Sequence, residues 1–95
     1  MAVLIDEPIW PNHGTVWGHL VSDSSLEELH AFARRAGMPE RGFDHDHYDY
    51  PEERREQLIA LGANPVTGRD LLRRLQASGL RVKQRDKRPK SSSGG

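Results

Sequence analysis

The stretch Thr15-Val16-Trp17-Gly18-His19-Leu20-Val21-Ser22-Asp23-Ser24-Ser25-Leu26-Glu27-Glu28-Leu29-His30 changes its period midway, and that change sets the fold class. Up to Asp23 it reads as an extended strand. Trp17, His19, Val21 and Asp23 share one face, and Val16, Gly18, Leu20 and Ser22 share the other. A helix over 14–21 is the alternative, but Gly18 and the β-branched residues argue against it. From Ser24 the spacing turns helical. Ser24 with Glu27 forms a capping box, Leu26, Leu29, Ala33 and Ala36 follow at helical intervals, and Gly37 is a natural stop.

Upstream, Ala2-Val3-Leu4-Ile5 is a short apolar strand ended by Asp6, Glu7 and Pro8. Pro8, Pro11 and Asn12-His13-Gly14 suggest a turn or loop carrying Trp10. Downstream, the polar run from Pro39 to Tyr50 reads as a loop leading into a short strand or extended segment. Pro51 opens a second helix, with Glu52 and Glu53 complementing its dipole and Leu58, Ile59 and Leu61 on its buried side. Asn64-Pro65-Val66 is an extended link. Thr67 caps a third helix with Asp70 in the reciprocal position, Leu71, Leu72 and Leu75 inward, and Gly79 at its end. The expected helices are 25–36, 52–61 and 69–78. The alternation predicts one α/β domain over residues 1–82, with three helices packed on a small, mainly parallel sheet.

Charge divides the chain. Residues 1–80 carry eight arginines against thirteen carboxylates, a balance of −5, whereas residues 81–95 carry six cations against Asp86, a balance of +5. Every lysine lies in that last part, so residues 83–95 are expected to be a flexible basic tail ending in Ser and Gly. Such a tail could give weak, salt-sensitive contact with nucleic acid. With no cysteine, disulfides and thiolate-bound zinc are excluded. No apolar run approaches a membrane span and no basic-then-apolar start reads as a signal peptide, so the expectation is a cytoplasmic protein with no membrane partner. Oligomeric state has no signature in the sequence.

All five histidines fall between His13 and His47, and Asp44-His45-Asp46-His47-Tyr48-Asp49 is the densest chemistry in the chain. If extended, that run puts His45, His47 and Asp49 on one face and Asp46, Tyr48 and Tyr50 on the other. Further donors are Asp6 at the first strand's end, His19 and Asp23 on the second, and His30 beside the first helix's apolar stripe. Each also has a structural role open to it: Asp23 and Asp49 as helix caps, His19 as a hydrogen-bonded core residue. Trp10 and Trp17 read either as a surface platform or as core or pocket wall. A cysteine nucleophile, a phosphate-binding glycine loop and a nucleophile elbow are all missing, and an acidic body is a poor match to duplex DNA.

Ile5-Asp6-Glu7, His19-Leu20-Val21-Ser22-Asp23, Glu28-Leu29-His30, Asp46-His47-Tyr48-Asp49, Gly62-Ala63 and Arg69-Asp70-Leu71 together resemble a small domain family of bacteria and their phages, known only as a domain of unknown function. The resemblance covers residues 2–80 and singles out Asp6, His19, Asp23, His30, His47 and Asp49; His13 and His45 fall outside its pattern. It implies an identity but no activity.

Residues and resemblance together suggest a divalent-metal site drawn from Asp6, His19, Asp23 and His47, with His47, Asp49 and His30 as catalytic candidates. Imidazole and carboxylate without sulfur suit Zn, Mn, Fe or Ni in an open site. The corresponding activity is metal-dependent hydrolysis of a phosphoester or nucleotide-like small molecule. Without metal, His47 tuned by Asp49 or Asp46 could serve as a general acid and base. The other class is a non-enzymatic module binding protein or nucleic acid, which the small size favours.

Overall fold

The computed structural model describes residues 2–81. Three short strands open the chain: β1 (Val3–Ile5), β2 (Trp10–Asn12) and β3 (Thr15–Ser22). After α1 (Leu26–Arg35) come β4 (Phe43–Asp44), β5 (His47–Pro51), a 3-10 turn leading into α2 (Arg55–Ala60), β6 (Asn64–Pro65) and α3 (Gly68–Ser78). Among the described residues the domain is α/β with three α-helices, as its periodicity predicts. Its first cap lies one residue later than expected: Ser25 Oγ accepts from the Glu28 amide, while the Glu28 carboxylate accepts from Ser22 and Ser24. Thr67 caps α3 through the Asp70 amide, and Gly79 closes it in the left-handed conformation.

The sheet is mixed, in the order β4-β5-β3-β1-β6, with β2 also paired to β3. Only β1 and β6 run parallel; the β1–β3, β2–β3, β3–β5 and β4–β5 ladders are antiparallel. This corrects the mainly parallel sheet. Parallel neighbours need a crossover, whereas two-residue turns force antiparallel pairing. Both segments read as loops are such hairpins. One turns at His13 and Gly14, with φ of 49° and 80°; the other turns at His45 and Asp46, with His45 at φ 60°.

β1 and β2 form one interrupted arm along β3. Four residues separate Ile5 from Trp10, but only two separate their partners Leu20 and Trp17. The excess bulges out at Asp6 to Ile9, where Pro8 has no amide to give the ladder.

Alternation along the strands builds a core on each sheet face. Val3, Ile5, Leu20, Tyr48 and Tyr50 pack with Leu29 and Phe32 of α1 and Leu58 of α2. Leu4 and Val21 point the other way, onto Leu71 and Leu75 of α3. Each face buries apolar surface worth roughly 25 cal/mol per Å². No helix among the described residues is long and apolar enough to cross a membrane. The basic tail expected from residue 83 lies outside the described residues.

Candidate metal centre

On the α3 face the bulge of the first arm meets the middle of β3 and the start of β5. Asp6 leaves β1 still in register, its amide donating to the His19 carbonyl at 3.2 Å. Its carboxylate grips the same residue twice: Oδ1 accepts from the His19 amide at 2.6 Å, and Oδ2 lies 2.8 Å from His19 Nδ1. The Asp6 carbonyl is held from the opposite face by the Tyr50 hydroxyl and by Arg55 Nη1, which also donates to that hydroxyl. Burial pushes the Tyr50 hydroxyl above the ordinary phenol pKa, with the Arg55 hydrogen bond and charge opposing it.

β5 supplies the second imidazole. His19 is paired with Asp49 across the β3–β5 ladder, and His47, two residues before Asp49, shares its face. The two imidazole rings meet edge to face with centroids 5.0 Å apart. Asp46, in the turn and fully buried, places Oδ1 2.7 Å from His47 Nδ1. Its other oxygen lies 3.4 Å from Arg81 Nη1. Burial alone would depress the His47 pKa, but the flanking carboxylates of Asp49 and Asp46 outweigh it and raise that pKa above the ordinary imidazole value.

Both histidines are therefore engaged through Nδ1 by a carboxylate, and each keeps Nε2 for another partner. One ligand atom each from His19, His47 and Asp49 lie within 4.8 Å of one another. Asp49 Oδ1 sits 3.1 Å from His47 Nε2, yet it is buried and accepts no aligned hydrogen bond among the described residues. A buried carboxylate oxygen with no aligned hydrogen bond, beside two oriented imidazoles, fits a cation.

The centre opens into a cleft of about 430 Å³ between the first hairpin and α3, whose lining includes Asp6, Glu7, His19, His47 and Arg81 together with Ile9, Trp10, Trp17 and Leu72.

Of the residues singled out in the sequence, Asp6, His19, His47 and Asp49 come together. Asp23 and His30 do not. Because β1 and β3 are antiparallel, their carboxyl ends lie at opposite ends of the sheet, and Asp23 instead accepts from the Ala2 amide at 2.9 Å and pairs with Arg74 at 2.8 Å. Burial raises the Asp23 pKa less than those two donors lower it, so it lies below the usual carboxylate value. His30 belongs to the other sheet face, with Nδ1 2.7 Å from the hydroxyl of Tyr48, which points away from His47. His45 turns out of the strand and pairs with Asp44 at 2.6 Å, which corrects its expected place beside His47.

Asp46, expected on the face opposite His47, reaches His47 because it belongs to the turn. The roles of Tyr50 and Arg55 behind Asp6 are invisible in the sequence because they depend on cross-sheet packing. Pro8, which cannot continue a ladder, is the one signal for the bulge.

No curated protein and no solved structure matches the chain. A family model described as "Protein of unknown function (DUF4031)" matches residues 3–78, a span that includes all four clustered residues. The chain belongs to that family.

Proposed function

We propose that His19, His47 and Asp49 bind a divalent transition metal ion and that the domain is a metal-dependent hydrolase of phosphoesters of nucleotide-like size. The observation that carries this reading is the pair of Nδ1-anchored histidines converging on the buried Asp49 oxygen, which accepts no aligned hydrogen bond. Carboxylate–histidine pairs fix the ring orientation and raise the basicity of the ligand nitrogen. Two nitrogens and one oxygen leave coordination positions open and favour Zn, Mn, Fe or Ni over Mg or Ca. A bound ion would acidify a coordinated water and polarise a phosphoryl oxygen. The chain's own part is to orient both imidazoles through Asp6 and Asp46. Glu7, an exposed carboxylate on the cleft wall, is available to take the water's proton. An anion entering this acidic cleft needs the ion's positive charge, to which Arg81 adds.

A non-enzymatic binding module is the second reading. The exposed Ile9, Trp10 and Leu72 at the cleft mouth favour it.

The test is elemental analysis of protein purified without a histidine tag, followed by thermal unfolding with Zn, Mn, Ni and Mg. Metal at a hundredfold excess over Kd should add about 2.7 kcal/mol, or roughly 10–20 °C for a domain this size. His47→Ala should abolish the shift. Hydrolysis of a chromogenic phosphoester that depends on the same metal supports the enzyme; metal binding without hydrolysis favours the module.

A further inference from the structure

We propose that Trp10, Trp17, Ile9 and Leu72 form a subsite for the flat base of a nucleoside phosphate whose phosphoryl group lies at His19 and His47. This rests on the metal-centre reading and goes beyond it by assigning the apolar half of the cleft.

The described residues expose four large hydrophobic side chains, Ile9 at 78%, Trp10 at 45%, Leu72 at 39% and Leu61 at 37%, and the first three border this one cleft. Scattered apolar residues on a surface need no explanation, but three around one opening do. The bulge after Asp6 carries Ile9 out of the ladder, and Trp10 re-enters it directly afterwards, opposite Trp17.

The aromatic surface is oriented. Trp17 Nε1 donates to the Asn12 carbonyl at 2.9 Å, which ties that indole to the hairpin, and Trp10 is its cross-strand partner. The Trp10 ring lies within 8° of parallel to the His19 imidazole, with centroids 6.2 Å apart. A planar group against Trp10 would thus lie parallel to a ring of the metal centre. Indole faces bind bases of any identity by stacking. The buried side chains of Val21, Leu71 and Leu75 close the cleft floor, so an extended acyl chain has no tunnel to enter. The volume of about 430 Å³ suits a small ligand.

Calorimetric titration of the full, zinc-loaded chain with adenosine 5′-monophosphate, adenosine and ribose 5-phosphate tests the assignment. The monophosphate should bind at least about tenfold more tightly than ribose 5-phosphate, as expected from stacking one base. Trp10→Ala should reduce it to the ribose 5-phosphate level with zinc content unchanged, and Trp10→Phe should restore most of the preference. A 5′-phosphorylated tetranucleotide binding much more tightly than the mononucleotide would identify a strand end as the source of the base; equal binding would identify the free nucleotide. Both outcomes support the subsite.

Failure of the metal reading has a separate signature. Zinc would not bind, while adenosine would still bind both wild type and His47→Ala and be lost in Trp10→Ala. Equal affinity for the monophosphate and ribose 5-phosphate would overturn the subsite. So would a Trp10-dependent dimer with no preference for the base, which would make the rim an interface between copies.

Discussion

Gly18 and Tyr50 face each other across the β3–β5 ladder, and the tyrosine ring fills the space that any side chain on Gly18 would need. A β-carbon built there would lie 2.5 Å from Tyr50 Cε1. Tyr50 is fully buried and its hydroxyl holds the carbonyl of Asp6, whose carboxylate in turn holds His19. One missing methyl group thus lies three contacts from His19, a proposed metal ligand.

Gly18→Ala should displace Tyr50 and release Asp6. Overpacking of this kind costs about 1–3 kcal/mol, read as a lower urea midpoint. Zinc affinity should fall by more than stability alone accounts for. Tyr50→Phe, which keeps the ring and removes one donor to Asp6, should cost less in both. Unchanged zinc affinity in both variants would disconnect this chain of contacts from the metal.

Asp46→Asn tests the carboxylate behind His47. Loss of such a partner lowers metal affinity about 10–100-fold. Competition titration with a zinc chelator should find that loss, and a similar one for Asp6→Asn. Unchanged affinity would make both carboxylates merely structural.

Asp23 and His30 serve as internal controls. Asp23→Asn should cost about 0.5–1.5 kcal/mol, since the Arg74 pair is partly exposed and screened. His30→Gln should perturb only the contacts with Tyr48 and Phe43. Neither should change zinc stoichiometry. A drop below one zinc per chain in either would return that residue to the ligand set.

The raised His47 pKa fixes the sign of a pH effect in chelator-treated protein. Stabilisation from its imidazolium is complete below the unfolded value, about 6.5, and is lost as pH rises through the higher folded value. Urea denaturation from pH 6 to pH 9 should therefore show wild type losing stability relative to His47→Ala. Zinc affinity should rise over the same window, because proton and metal compete for one nitrogen. An advantage of wild type that grows with pH would contradict the assignment.

Local pattern carries much of this fold. The shift of period at Ser24, the cap at Thr67 and the terminating glycines locate the helices, because those signals act within a few residues, although the first cap reads one residue before Ser25, which makes it. Alternation also puts His19 on the same strand face as Trp17 and Val21, where it lies. Sheet direction was less legible, since His13-Gly14 and His45-Asp46 each form a two-residue turn within a run that reads as polar loop. Antiparallel pairing then carries Asp23 to the far end of the sheet from Asp6. The four clustered residues stand out by chemistry, but their partners do not. Asp46 becomes the orienting carboxylate of His47 only through the turn, and Tyr50 with Arg55 reaches Asp6 only across the sheet.

The most direct measurement is the X-ray absorption spectrum of the full chain loaded with one equivalent of zinc, analysed for the ligands around the ion. The account predicts a sulfur-free shell with two imidazole nitrogens, at about 2.0–2.1 Å, and carboxylate or water oxygens completing it. His19→Ala and His47→Ala should each remove one imidazole or abolish binding. A chain that retains no zinc, or a two-imidazole shell that survives both substitutions unchanged, would contradict the His19–His47–Asp49 centre.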